Sequence, residues 1–163
     1  MPILFSDGTS QDSAAGGKVL QVVSAVKTDT MSSTATSFTD ILTCSITPSS
    51  SSSKVLCLGV TRMTSDNHCN IRLCRDSTAI FIGDADGSRT RTSTGEAYDL
   101  GNSYRSQDSS VVFLDSPSTT SATTYKLQGI GAGETWLINR IESDSNNTAY
   151  SRCPMSLTLM EIQ

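Results

Sequence analysis

The chain has 163 residues, 28 of them serine and 21 threonine, with charged residues at only 17% and a formal net charge of −4. That is the length of one domain, able to bury about 70% of its unfolded surface and so to form a core without staples. Twelve basic residues against sixteen acidic ones exclude the basic stripe that nucleic-acid binding requires, and no apolar run approaches the roughly 18 residues of a membrane span.

Residues 1–17 are polar, rich in Gly, Ser and Asp, and lack the basic and apolar regions of a signal peptide. They read as an N-terminal attachment arm in which Ile3, Leu4 and Phe5 are expected to dock on another protein. The domain is expected over residues 18–163. Residues 18–28 are apolar on both faces, as in a strand buried on two sides, either mid-sandwich or against another subunit. In Leu42-Thr-Cys-Ser-Ile-Thr47 apolar and hydroxyl residues alternate with a period of two, the pattern of a half-buried strand. Residues 48–53 read as a hairpin loop. Leu56, Leu58 and Val60 resume the alternation, then Ile71 and Leu73 with Asn70 and Arg72 opposite, then Ile80 and Ile82.

Residues 84–94 and 99–108 are the longest polar stretches and are expected as exposed loops. Residues 111–114 are again apolar on both faces. Residues 115–121 form a turn, because Pro117 cannot sit in a central strand. Tyr125 and Leu127 then alternate with Lys126 and Gln128. No segment has a helical stripe, and four Glu, four Lys and ten Ala are few for a helical protein. The chain is predicted to be all-β, an antiparallel β-sandwich or jelly roll.

Candidates for chemistry are sparse. The five cysteines (44, 57, 69, 74 and 153) are odd in number and lack a C-x-x-C pair. They read as buried free thiols of a protein assembled in a reducing cytoplasm. His68 is the sole histidine and stands outside any triad or zinc motif, so it reads as a loop residue. Asp84 and Asp86 resemble the start of a calcium loop, but the twelfth position from Asp84 is Gly95, not Glu, and an ordinary β-turn explains them better. The sequon at Asn146 has meaning only in a secreted eukaryotic protein. Trp136 lies in an apolar strand and reads as core or as a subunit contact. Asp84, Arg89, Arg91, Tyr98, Tyr104 and Arg105 lie in the polar stretches and are the candidate receptor-facing residues. The arginines suit anionic sugars or a neighbouring subunit's carboxylates. Neither an acid pair in a glycosidase setting nor a phosphate-binding loop is present. No catalytic residue, cofactor or metal is expected.

Several stretches together resemble a known family. Gly17-Lys-Val-Leu-Gln-Val-Val23, with the following Ser-Ala-Val-Lys-Thr-Asp-Thr30, is similar to the first strand of a β-rich module in virion structural proteins of marine and freshwater tailed bacteriophages. Ile46-Thr-Pro-Ser-Ser-Ser-Ser-Ser-Lys-Val-Leu56, Leu73-Cys-Arg-Asp-Ser-Thr-Ala-Ile80, Phe113-Leu-Asp-Ser-Pro-Ser-Thr-Thr-Ser-Ala-Thr-Thr-Tyr125 and Leu157-Thr-Leu-Met-Glu-Ile162 resemble later parts of the same module, in order and at similar spacing. Such modules are commonly the terminal units of phage fibres. The resemblance implies a non-enzymatic virion protein, a homotrimer displayed on the particle as a capsid decoration, head fibre or short tail appendage. With only some 17 residues ahead of the module, the arm is expected to attach it directly to other virion proteins, capsid or tail. The competing expectation is a free carbohydrate-binding, lectin-like module that recognises host-surface glycan, with Tyr98, Tyr104, Arg105 and the 84–94 loop forming its face. A depolymerase is disfavoured by the lone histidine and the missing acid pair.

Overall fold

Side chains that alternate between apolar and hydroxyl can satisfy a two-layer structure only if the apolar row of each strand faces the other layer. A computed structural model describes residues 3–4, 10–11, 18–65, 67–94 and 106–163 of the chain. Among these the secondary structure is all strand: β1 (Ile3–Leu4), β2 (Ser10–Gln11), β3 (Val19–Lys27), β4 (Met31–Ser33), β5 (Thr39–Ile46), β6 (Lys54–Ser65), β7 (Cys69–Arg75), β8 (Thr78–Ile80), β9 (Gln107–Asp115), β10 (Thr123–Gly131), β11 (Trp136–Ile138) and β12 (Met155–Ile162). β1 and β2 pair only with each other. The others form two antiparallel sheets.

The smaller sheet has the order β5-β10-β7-β8, and the larger one β3-β12-β6-β11-β4 with β9 also paired to β6. The long strand β6 organises the larger sheet. One of its edges takes β12 along Lys54–Val60 and then β11 at Met63–Ser65, while β9 covers the other edge. β3 and β4 continue outward from β12 and β11 in the same way. Each sheet is therefore four strands wide. Val55, Cys57, Val111, Trp136, Leu157 and Leu159 of the larger sheet share one buried cluster with Ile41, Ile46, Ile71, Leu73, Tyr125 and Leu127 of the smaller. The two sheets are thus packed face to face as a β-sandwich.

Three contacts fix the sandwich. Trp136 crosses from the larger sheet to lie over Gly129 and Gly131 of β10, and its indole Nε1 donates to the Ala35 carbonyl at 3.3 Å. Tyr125 Oη donates to Asp115 Oδ2 at 2.6 Å, and Arg75 Nη1 binds both oxygens of the same carboxylate at 2.9 and 2.8 Å. Burial and the adjacent Asp115 push the Tyr125 phenol upward. At Glu161 on β12 the carboxylate accepts from Gln21 Nε2 at 2.6 Å and from both the backbone N and the Oγ of Ser49 at 2.7 Å. Burial alone would raise this carboxyl, but the bonds from Gln21 and Ser49 outweigh it and hold it at about 2.

The outer faces of the two sheets differ. On the smaller sheet, Asp40 accepts from Lys126 Nζ at 2.9 Å and from the Gln128 amide, and the Arg72 guanidinium lies 3.6 Å from the centre of the Phe38 ring. On the larger sheet the registers align Val22, Met160, Leu56 and Leu114 in one row across all four strands. The next row is Ser24, Thr158, Leu58 and Val112, and the third is Val26, Ser156, Val60 and Ser110.

Several local expectations need correction. Residues 48–53 are not a hairpin loop: β5 and β6 lie in different sheets, so the loop crosses the sandwich and delivers Ser49 to Glu161. Strand β8 stops at Ile80, because Phe81 adopts a left-handed φ of 51°, and Ile82 lies beyond the strand. Asp108 belongs to β9 rather than to a loop. Residues 18–28 and 111–114 are not mid-sandwich, since β3 and β9 are edge strands with one face in the core and the other bare.

Candidate functional site

The loop between β8 and β9 leaves the smaller sheet after Ile80 and returns along β7. Its outbound part is a tight turn in which Arg89 N bonds the Asp86 carbonyl at 3.2 Å, with Gly87 at a φ of 58°. A positive φ of this kind favours glycine. Arg89 Nη1 binds the Asp86 carboxylate, and Arg91 Nε donates to the Gly83 carbonyl at 2.6 Å. The return is pinned by Ser93, whose N bonds the Ile71 carbonyl at 2.9 Å and whose Oγ accepts from Leu73 N at 2.8 Å.

This fold-back leaves a cleft of about 620 Å³ at one end of the smaller sheet. The loop supplies Arg89, Thr90, Thr92 and Thr94; the β6–β7 connection supplies His68, and β7 supplies Asn70. Thr36 and the end of β10, from Ile130 to Ala132, complete the wall. The volume suits a small ligand. Among the described residues the lining offers hydroxyls, an amide, an imidazole and a guanidinium but no carboxylate. Such a set can hydrogen-bond a neutral or anionic polyol.

Of the described candidate residues, Asp84, Arg89 and Arg91 share this one exposed loop, and among them Arg89 lines the cleft. Tyr98, Tyr104, Arg105 and Phe5 lie outside the described residues. Ile3 and Leu4 form β1. His68 is the loop residue expected, yet it shares the cleft with Arg89. Trp136 is fully buried in the core. Sequence reasoning missed Thr36 and Asn70, and it included Thr90, Thr92 and Thr94 within the 84–94 loop without singling them out.

The remaining reactive groups are muted. All five cysteines are free, and four of them are buried. Burial pushes the Cys57 and Cys69 thiols up to about 12 and raises Cys44 and Cys74, which leaves little nucleophilic thiolate. Cys153 is half-buried and accepts from Arg62 Nη1 at 2.8 Å. Among the described residues no group of three His, Cys, Asp or Glu side chains could hold a metal ion, and no helix is long and apolar enough to cross a membrane. The chain matches no protein-family model and no curated protein sequence.

Proposed function

We propose that the protein is a non-enzymatic structural component of a tailed-bacteriophage virion: a jelly-roll unit, trimeric, displayed on the particle surface. There it stabilises the particle or mediates attachment to the host. The observation that carries this reading is the strand order. Counted along the eight principal strands, one sheet runs first, eighth, third, sixth (β3-β12-β6-β9) and the other second, seventh, fourth, fifth (β5-β10-β7-β8). That interleaving supports the jelly-roll reading, an architecture common in viral capsid and lectin domains. The phage-like stretches between residues 17 and 162 support the same reading.

The residues 1–17 arm, with Ile3, Leu4 and Phe5, would then attach the unit to capsid or tail. Light scattering after size exclusion should give about three times the monomer mass of 17.3 kDa. Removing residues 1–16 should abolish incorporation into particles while leaving the fold intact. Retained incorporation would remove the arm from the proposal.

The cleft favours a second reading, a carbohydrate-binding module. On a glycan array, wild-type protein should then bind a defined polyol or acidic sugar, and Arg89→Ala and Asn70→Ala should each weaken that binding at least tenfold. Silence across the array would leave the purely structural role.

A further inference from the structure

We propose that the outer face of the larger sheet is the contact surface between subunits, and that a second copy of this chain covers it. The inference rests on the homo-oligomeric reading above and assigns the surface through which it is built. Val22, Val26, Val60, Val112 and Leu114 stand on this face with 45% to 59% of their area open, and the half-buried Leu56, Leu58 and Met160 fill the spaces between them. Four strands at about 4.8 Å spacing and six residues at about 3.3 Å give roughly 400 Å² in flat projection. Corrugation by side chains makes the accessible area larger. Four of the twelve positions in these rows carry hydroxyls, and the apolar remainder is about as large as the largest patch on a soluble monomer, which is often a functional contact. It matches the apolar centre of an interface burying about 800 Å² on each partner, with polar residues as its rim.

The choice of a second copy follows from charge. Arg62 and Asp108, at one margin of the face, are each other's partners, with Arg62 Nε 3.7 Å from Asp108 Oδ1. Lys54 lies at the opposite end of β6. Between them stand only apolar and hydroxyl side chains, and the two hydroxyls of Ser24 and Thr158 bond each other at 2.9 Å. A neutral face offers nothing for a charged partner to read, and brings no like-charge repulsion when one part of it packs on a different part of a neighbour's around a three-fold axis, as a trimer requires. The opposite sheet, with its Asp40, Lys126 and Arg72 network, is built for water instead.

The test is sedimentation velocity on the full chain from about 1 to 100 μM, with a far-ultraviolet melt on every variant. Val60→Lys and Val112→Lys should each weaken assembly at least a hundredfold, yielding folded monomers. The gentler Val60→Thr, close in shape, should weaken it about tenfold. Thr43→Lys and Ser45→Lys, on the opposite sheet, should leave assembly unchanged. If wild type is oligomeric and the folded lysine variants remain so, the assigned face is wrong while the oligomeric reading stands. A wild type monomeric throughout the range overturns both. A wild type monomeric in solution whose binding to particles is lost in Val112→Lys makes another virion protein the occupant, and overturns the second copy.

Discussion

The indole of Trp136 occupies space that exists only because β10 carries Gly129 and Gly131 opposite it. A Cβ on Gly131 would fall inside the indole, nearest Cδ1, and one on Gly129 would come within 2.7 Å of Ile41 Cδ1. The buried ring cannot swing away as a flexible chain end would, so Gly131→Ala should cost about 1–3 kcal/mol through overpacking. Urea unfolding checks this: the midpoint should fall with an unchanged slope, and an unshifted midpoint would mean the ring relaxes freely. Glu161 gives a prediction of a different kind. Its carboxyl is held at about 2, below its ordinary 4.5. The stability it contributes is therefore complete above about pH 5 and is lost as the pH falls towards 2. Wild type should lose stability over that window, whereas Glu161→Gln should begin less stable at pH 7 and show a flatter profile. Parallel profiles for the two proteins would remove Glu161 from the acid response. Neither contact was legible in the sequence. Glycines inside a strand signal a close approach without naming what approaches, and a lone Glu in an alternating run looks solvent-facing until a loop from the other sheet covers it.

At the scale of elements, Asn139 is the joint of the larger sheet. It ends β11 in a left-handed conformation with φ of 64°, and its Nδ2 donates to the carbonyls of Lys27 at 2.8 Å and Asp29 at 2.9 Å. Its own N reaches the Arg62 carbonyl and its carbonyl receives Cys153 N, so β3, β6, β11 and the approach to β12 meet at one buried side chain. Asn139→Ala loses both amide bonds and strains the backbone, costing about 2–3 kcal/mol. Asn139→Gly keeps the φ and should cost less. A thermal melt in which Gly is worse than Ala would discard the strain argument. Period-two alternation located β5, β6, β7 and β10 because each carries one apolar row to the core. It could not tell a hairpin from a crossing between sheets, since both begin and end the same way in one dimension. Residues 48–53 were misread for that reason. The site was legible in part: Arg89 stood out in a polar stretch, but Asn70 and Thr36 reach the cleft only through the folding of distant segments.

For the molecule as a whole, the two sheets share one core, so they should unfold together. The thiols offer a readout, because Cys57 lies in the larger sheet and Cys69 in the smaller, both without exposed surface. Native protein treated with iodoacetamide should take at most one adduct, at Cys153. Across a denaturant series, the other four should gain label in a single transition. Labelling of one sheet's thiols ahead of the other's, read by mass spectrometry, would show two independent units. Composition foresaw the all-β class, since abundant hydroxyls with few Glu, Lys and Ala suit strands and turns. The pairing of β3 with β12 was not foreseeable, because nothing local marks two segments as partners when they are this far apart.

That pairing has a consequence in time. Ser24 of β3 and Thr158 of β12 bond across 134 residues of chain, and β12 lies between β3 and β6. While the ribosome is still making the intervening segment, β3 has no strand beside it and β6 lacks one edge. At about 5–20 residues per second this interval is on the order of 10 s. Throughout it an apolar ribbon stands open to other nascent chains. Contacts so distant in sequence also place the chain among slow folders, in the range of milliseconds to seconds once complete. Cells making many copies at once therefore face their greatest aggregation risk before β12 emerges, and a lower expression level at unchanged elongation rate, or added chaperone, should raise the soluble yield.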